Sequence, residues 1–292
     1  MGKLKIAETV STLTNPPIIT IPLFVIICLT LSFGPNGFDL SEFIVLELVS
    51  LIFASILPMA IILYWAKKLG TDKDISNRGD RYTPLIVGII SYFIGFLICL
   101  AFNLDGFLTA LLLCYSVNTG VVLLITTRWK ISVHTTGLSG PIGALILLLG
   151  PVGSAFAVIY PIVIWSRVLL KKHTLAQAIA GGVQGFFLTV IEMYLFINLF
   201  NFNVVAMTGL LESIFYVFAI IATPVVLGIL GYINISNKRV MFILSELALL
   251  AAFLIFTPMS VFAIFVLISL TSILISCYAG EDFVWFRVLN SS

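Results

Sequence analysis

Long uninterrupted runs of apolar residues occupy most of this chain, and they constrain its fold more than any other feature. A transmembrane helix needs about 20 consecutive apolar residues, because the hydrocarbon layer that it crosses is about 30 Å thick. Hydrophobic residues make up 61% of the 292 residues and charged residues only 10%, whereas soluble domains carry about 25% charged residues. The sequence therefore predicts a polytopic integral membrane protein with very little mass outside the bilayer.

Ten apolar runs are long enough to cross a membrane, and polar or proline-containing breaks separate them. Lipid offers no hydrogen-bond partner to open backbone groups, so these runs are expected to be helices. The predicted spans are 17–34, 43–65, 84–102, 106–127, 133–151, 153–170, 175–199, 210–232, 239–257 and 259–277. The expected fold class is all-α, a polytopic helical bundle that forms one transmembrane domain over residues 1–292.

Basic residues are divided unevenly between the two sets of loops that ten spans create. All 15 Lys and Arg residues fall in the set that includes residues 1–17, while the other set carries Asp39, Glu42 and Asp105. The positive-inside rule makes the basic side cytoplasmic. We therefore expect a cell-membrane protein with its N-terminus in the cytoplasm. Residues 1–17 are too polar for a signal peptide, and the net charge of +2 gives no reason to expect a nucleic-acid partner.

The two histidines of the chain lie at predicted membrane boundaries. His134 lies at the start of the fifth span, and His173 lies between the sixth and seventh, separated from Ser166-Arg167 by five residues. Histidine suits nucleophilic and acid–base chemistry, because its ordinary pKa of about 6.5 is close to working pH. A guanidinium group matches the oxygens of a phosphate. These residue types indicate a site that holds and attacks a phosphate.

Two further arginines, Arg78 and Arg81, lie in the loop after the second span. Ten spans bring this loop, the start of the fifth span and the turn after the sixth to one face of the membrane. We therefore expect Arg78 and Arg81 to converge with the two histidines and Arg167.

The residues 166–173 resemble the third signature of the type-2 phosphatidate phosphatase superfamily, S-R-x5-H-x3-D. This superfamily of membrane lipid phosphatases is related to the vanadium haloperoxidases. Ser166, Arg167 and His173 match the signature in type and spacing, and Gln177 replaces its aspartate.

Two earlier segments resemble the other signatures of that superfamily less closely. Ser132 and His134 match the serine and histidine of P-S-G-H, whose proline and glycine are replaced here. Arg81 is the best match for the arginine of K-x6-R-P, where Asp74 stands in place of the lysine. Together the three segments extend the resemblance over residues 60–185.

The resemblance implies a metal-independent phosphatase without a cofactor. His173 would be the nucleophile that forms a phosphohistidine, and His134 would protonate the departing oxygen. A neighbouring Gln177 would orient the imidazole of His173 without adding a charge, which implies weak activity. The phosphate-binding residues would be Arg167, Arg81, Ser132, Arg78 and Ser166.

The same resemblance implies a membrane substrate, namely a lipid phosphate or an isoprenoid diphosphate, drawn from the bilayer. It also implies a phosphatase-like core of six helices at about 43–199, with additional C-terminal helices at about 210–277. No sequence pattern predicts an oligomeric state.

Two alternatives remain open at this point. Residues 74–81 look like the end of the first aspartate-rich motif of intramembrane polyprenyl transferases, which hold a magnesium diphosphate. That interpretation leaves both histidines without a role. The second alternative is a protein that binds or transports a lipid phosphate without catalysis, and the replaced signature residues favour it.

Polar and small residues inside the spans have structural interpretations. A charged group in a span costs about 3 kcal/mol on insertion scales, so we expect Glu47 and Glu192 to be protonated, hydrogen-bonded between helices or part of a polar path. Glycines in the fifth and seventh spans allow helices to approach closely. They include Gly137, Gly140, Gly143, Gly181, Gly182 and Gly185.

Overall fold

The computed structural model of this chain describes residues 2–34, 36–70, 75 and 77–200, and most of these residues are in helices. The α-helices in these ranges are α1 Lys3–Leu13, α2 Pro16–Leu31, α3 Leu40–Ser50, α4 Leu57–Leu69, α5 Tyr82–Ala101, α6 Gly106–Thr126, α7 Val133–Leu149, α8 Ile159–Leu169 and α9 Leu175–Leu199. A π-helical segment, Leu51–Ile56, joins α3 to α4, and the 3-10 segments Gly79–Arg81 and Gly150–Val158 lead into α5 and α8. Two short strands, β1 Phe33–Gly34 and β2 Gly37–Phe38, pair antiparallel.

Four helical stretches in the described part of the chain are long and apolar enough to cross a membrane. They are Leu40–Leu69, Gly79–Ala101, Gly106–Thr126 and Leu175–Leu199. Helices α1 and α2 reach that length only together, and they are bent by 60° relative to each other. Large apolar side chains lie on the outer faces, such as Leu124 at 70% exposure. A lipid environment accounts for them, and the chain is an integral membrane protein.

The fifth and sixth predicted spans are shorter than expected. Helix α7 has 17 residues, which gives a length of about 26 Å. The chain leaves it at Gly150, whose φ of 66° lies in the left-handed region that favours glycine. The 3-10 segment Gly150–Val158 and α8 follow, and both pack against α7. Predicted spans over 210–277 lie outside the described residues, so the count of ten spans stays a prediction.

Side-chain caps define where several helices begin. Asp39 accepts hydrogen bonds from two backbone N–H groups at the start of α3, and Asp105 does the same for α6. Ser132 caps α7. Thr174 and Gln177 form a reciprocal capping box at the start of α9, in which each side chain accepts from the other residue's backbone N–H.

Helix α9 packs closely on α7 and α8 through its glycines. A Cβ atom at Gly185 would lie 2.5 Å from the Ser139 hydroxyl and 2.6 Å from the Thr136 carbonyl oxygen, both on α7. A Cβ atom at Gly182 would collide with the ring of Tyr160 on α8. The prediction that these glycines allow close helix packing is confirmed.

A buried network of polar side chains also links α6, α7 and α9. Glu192 is only 5% exposed, and its carboxylate accepts a hydrogen bond from Asn118 Nδ2 at 3.0 Å. Gln184 donates to Asn118 Oδ1 at 2.8 Å, and the Thr136 hydroxyl donates to Gln184 at 3.2 Å. Glu192 is therefore hydrogen-bonded between helices, one of the environments that the sequence left open.

Candidate active site

Backbone and side-chain hydrogen bonds join the α6–α7 and α8–α9 loops at one end of the bundle. Lys130 Nζ donates to the Lys172 carbonyl at 2.9 Å. The Ser132 backbone N–H donates to the Gln177 carbonyl at 3.3 Å. These bonds bring the start of α7 beside the end of α8, which are more than 30 residues apart in the chain.

Arg167 occupies the last turn of α8 and is completely buried. Its Nη1 atom lies 3.5 Å from His134 Nε2, in the first turn of α7. The same Nη1 donates to the hydroxyl of Ser11 on α1. An arginine near a helix C-terminus is favoured by the helix dipole, and here its guanidinium is directed at the start of a second helix.

The spacing between Arg167 and His173 has a structural cause. After α8 the backbone turns through Lys171, whose φ of 53° is left-handed. The backbone N–H groups of Lys172 and His173 then donate to the Arg167 carbonyl, at 3.0 and 3.4 Å. The turn brings His173 back beside Arg167, although five residues separate them.

The imidazole of His173 has a defined tautomer. Its Nδ1 atom lies 3.3 Å from the Lys130 carbonyl oxygen, which only accepts hydrogen bonds, so Nδ1 carries the proton. Nε2 is buried and has no hydrogen-bond partner among the described residues. Burial, followed by the charges of Arg81 and Arg167, lowers the pKa of His173 to about 3. At neutral pH the ring is uncharged, with its lone pair on Nε2.

Arg81 is held at the same end of the bundle. Its Nε donates to the Ile75 carbonyl at 2.8 Å, and its Nη1 donates to the Ile131 carbonyl at 3.2 Å. It is buried, and its charge acts on His173. Arg78 lies differently, because it is exposed and donates to the Arg128 carbonyl at 2.6 Å. The structure therefore brings Arg81 into the cluster and leaves Arg78 on its surface.

Three other predicted site residues contact the backbone. Gln177 does not orient His173 in this structure. Its side-chain oxygen accepts from the Thr174 backbone N–H at 3.1 Å, because its place in the first turn of α9 favours capping. The acceptor for the imidazole is the Lys130 carbonyl instead. Ser132 caps α7, and the Ser166 hydroxyl donates to the Ala7 carbonyl at 2.7 Å.

A cavity of about 130 Å³ lies beside the cluster, between α2, α4, α5, α6, α7 and α9. Arg81 and His134 line it, together with mostly apolar residues and, deeper along α7, Pro141. Pro141 lies seven positions after His134 in the helix, a depth of about 10 Å. A cavity of similar size, about 150 Å³, holds a benzene molecule in an engineered protein. The cavity has room for a short apolar segment next to charged groups.

Sequence reasoning missed two contributors to this cluster. One is the Lys130 carbonyl, and a backbone acceptor leaves no signal in the sequence. The other is Ser11, which contacts Arg167 through its hydroxyl and hydrogen-bonds to His134 through its backbone. The small residues Ala7 and Ser11, one turn apart on an otherwise large-residue helix, are the signal that indicates a packed face.

No family model, curated protein or solved structure matches this chain. Among the described residues, no group of three or more His, Cys, Asp or Glu side chains is arranged to hold a metal ion.

Proposed function

We propose that this chain is a membrane phosphatase that hydrolyses a lipid phosphate or a (poly)prenyl diphosphate without a metal ion, as a divergent member of the type-2 phosphatidate phosphatase superfamily. One observation supports this most. His134, His173, Arg81 and Arg167 come from three separate segments of the chain, and all four are buried at one end of the bundle.

The two guanidinium groups account for phosphate binding. The cations with the strongest effect on His173 are Arg81, Arg167 and Lys130, so the potential at its ring is positive and attracts an anion. Guanidinium groups bind phosphate oxygens with two parallel hydrogen bonds and stabilise the charge that builds up in the transition state. The apolar cavity next to Arg81 and His134 fits the first carbons of a lipid chain.

The lone pair on His173 Nε2 supports nucleophilic attack. In the proposed first step, Nε2 forms a bond to phosphorus while the bond from phosphorus to the lipid oxygen breaks. His134 gives its proton to the departing oxygen. In the second step a water molecule gives a proton to His134 and attacks phosphorus, which releases phosphate and restores His173.

His134 needs a protonated Nε2 for the first step. Without a ligand this atom faces Arg167 Nη1, which only donates, so Nε2 carries a lone pair. A phosphate oxygen that contacts both groups accepts a hydrogen bond from the arginine, and its negative charge favours the protonated imidazole. Binding of the substrate thus favours protonation of His134, which then acts as the general acid.

A neutral acceptor for His173 implies slow turnover. The Lys130 carbonyl fixes the tautomer of the ring but adds no negative charge to stabilise the imidazolium that forms. In serine proteases, replacing the acidic partner of the catalytic histidine with an amide lowers the rate about 10⁴-fold through the wrong tautomer; the tautomer of His173 is fixed here, so the missing charge alone should cost less. We therefore expect weak but measurable activity.

We further propose that about ten spans cross the membrane, that residues 43–199 contain the six-helix phosphatase-like core, and that the site faces the cytoplasm. The positions of the basic residues support this orientation. In the described part of the chain, Arg81, Arg128 and Lys172 lie at the end of the bundle that holds the cluster.

Replacing the nucleophile tests the proposal directly. His173→Ala should lower phosphate release from phosphatidate or a polyprenyl diphosphate by at least about 100-fold, since no other group takes over the covalent step. Release is measured from the purified protein in detergent micelles, with and without EDTA. Arg128→Ala, an exposed change at the same end of the bundle, is the matched control and should keep full activity.

Three results would contradict the proposed phosphatase activity. They are unchanged release by a folded His173→Ala variant, loss of activity with EDTA, and magnesium-dependent prenyl transfer in place of hydrolysis. Binding of the lipid without either product would instead favour a protein that binds or transports lipid phosphates.

A further inference from the structure

Helix α1 carries several hydroxyl groups, and one of them differs from the rest. Thr9 and Thr12 are exposed and donate to the carbonyls of Lys5 and Glu8, each at 2.9 Å within the helix. Ser11 is only 4% exposed, and its hydroxyl oxygen accepts a hydrogen bond from Arg167 Nη1. Its side chain therefore faces the candidate site, while its neighbours bond along the helix.

Helix α1 is fixed over the site by a matched pair of contacts. Ser166 donates to the carbonyl of Ala7 at 2.7 Å, and Arg167 donates to the hydroxyl of Ser11. Ala7 and Ser11 are one helical turn apart, so adjacent residues of α8 contact successive turns of α1. The Ser11 backbone also hydrogen-bonds to His134. Three of the predicted site residues thus contact α1.

We propose that Ser11 is a further phosphate-binding residue of this site, and the proposal rests on the function proposed above. A guanidinium N–H only donates, so the Ser11 hydroxyl oxygen accepts the hydrogen bond from Arg167. The hydroxyl hydrogen of Ser11 can then be donated to another acceptor. A phosphate oxygen bound by Arg167 next to His134 lies within reach of that hydroxyl. Ser11 then donates a hydrogen bond to the phosphate, and α1 forms one wall of the binding site.

A phosphate-binding assay tests Ser11 separately from catalysis. The probe is inorganic phosphate, titrated by calorimetry into the full-length protein in detergent. Ser11→Ala should weaken phosphate binding about tenfold, because a hydrogen bond to a charged group is lost. Thr12→Val is the matched control, an exposed hydroxyl one residue away on the same helix, and should bind phosphate as the unchanged protein does.

A second variant keeps the test decisive if the alanine variant is unstable. Ser11→Cys keeps a side chain of similar size with a much weaker donor, and it should also weaken binding about tenfold. Thermal midpoints measured with each titration show that the variants are folded.

The outcomes separate this inference from the proposed function. Phosphate affinity in folded Ser11→Ala or Ser11→Cys equal to that of Thr12→Val overturns the role of Ser11, even if His173-dependent hydrolysis is observed. Ser11-dependent phosphate binding without any hydrolysis supports the role of Ser11 and overturns the phosphatase. No phosphate binding by the unchanged protein at millimolar concentration overturns both.

Discussion

His173 meets a different environment at each ring nitrogen. Nδ1 contacts a carbonyl that fixes its proton, and Nε2 is buried beside cationic groups. The first contact sets the tautomer, and the second lowers the pKa, because burial and positive charge both disfavour the imidazolium. A ring that stays neutral is a better nucleophile at mildly acidic pH than an exposed histidine, which is half protonated at about pH 6.5.

The lowered pKa of His173 predicts that stability falls in acid. The folded-state pKa of about 3 lies below the unfolded value of about 6.5, so between these values the unfolded chain binds a proton that the folded protein does not. The stabilising contribution is complete above pH 6.5 and is lost toward pH 3, at up to about 1.4 kcal/mol per pH unit.

Comparing thermal midpoints at pH 7.5 and pH 5.0 checks this effect. His173→Asn keeps an N–H group for the Lys130 carbonyl and does not titrate, so its midpoint should fall less on acidification than that of the unchanged protein. Equal falls for the two proteins would show that His173 does not carry the acid sensitivity.

The sequence predicted the residues of the cluster better than their contacts. His134, Arg167, Arg81 and His173 come together as their order and spacing indicated. Gln177 was expected on the imidazole, and its side chain caps α9 instead. A signature records residue types, whereas the partner of a side chain depends on backbone atoms whose positions the pattern does not encode.

At the scale of helices, apolar length predicted where helices occur but not how they cross the bilayer. Each predicted span up to residue 199 contains a helix. The predicted span 17–34 contains α2, which reaches spanning length only together with α1, from which it is bent by 60°, and the predicted span 133–151 contains α7, which has only 17 residues. Hydropathy averages over a window, so it does not show the bend between α1 and α2 or the 3-10 conformation of Gly150–Val158.

The close contact of Gly185 on α9 with α7 predicts that a larger residue at this position lowers stability. Gly185→Ala places a methyl group 2.6 Å from the Thr136 carbonyl oxygen, which must move. We expect a loss of about 1–3 kcal/mol in unfolding free energy from overpacking, measured as a lower thermal midpoint in detergent. Gly120→Ala on α6 is the control, because its Cβ meets nothing within 4 Å. It should leave stability equal or slightly higher, and equal midpoints for both variants would contradict the packing.

At the scale of the bundle formed by the described residues up to 200, the two ends differ in charge. Asp105 caps α6 at one end and interacts electrostatically with Glu42 at the start of α3. The 21 residues of α6 then span about 30 Å before the chain reaches Arg128 and Lys130. Loop charges in the sequence were sufficient to predict this separation, because a helix of spanning length such as α6 carries the chain from one end of the bundle to the other.

Site-directed labelling tests which end faces the cytoplasm. Asn36→Cys lies in the turn between β1 and β2, and Arg128→Cys lies in the α6–α7 loop; both positions are exposed. In intact cells, a membrane-impermeant maleimide should label Asn36→Cys, and Arg128→Cys should react only after the membrane is opened. The unchanged protein controls for native cysteines. The reverse pattern would invert the proposed orientation.

The contacts between α1 and α8 set an order for assembly during synthesis. Ser11 and Arg167 are 156 positions apart, so α1 leaves the ribosome long before its partner exists. Contacts between distant parts of a chain form late in folding. Until α8 is inserted, α1 lacks the two contacts that Ser166 and Arg167 make with it. The packing of α1 on the proposed phosphate site is thus completed only after α8 is made, and a nascent chain truncated before residue 167 lacks the side chain that Ser11 contacts.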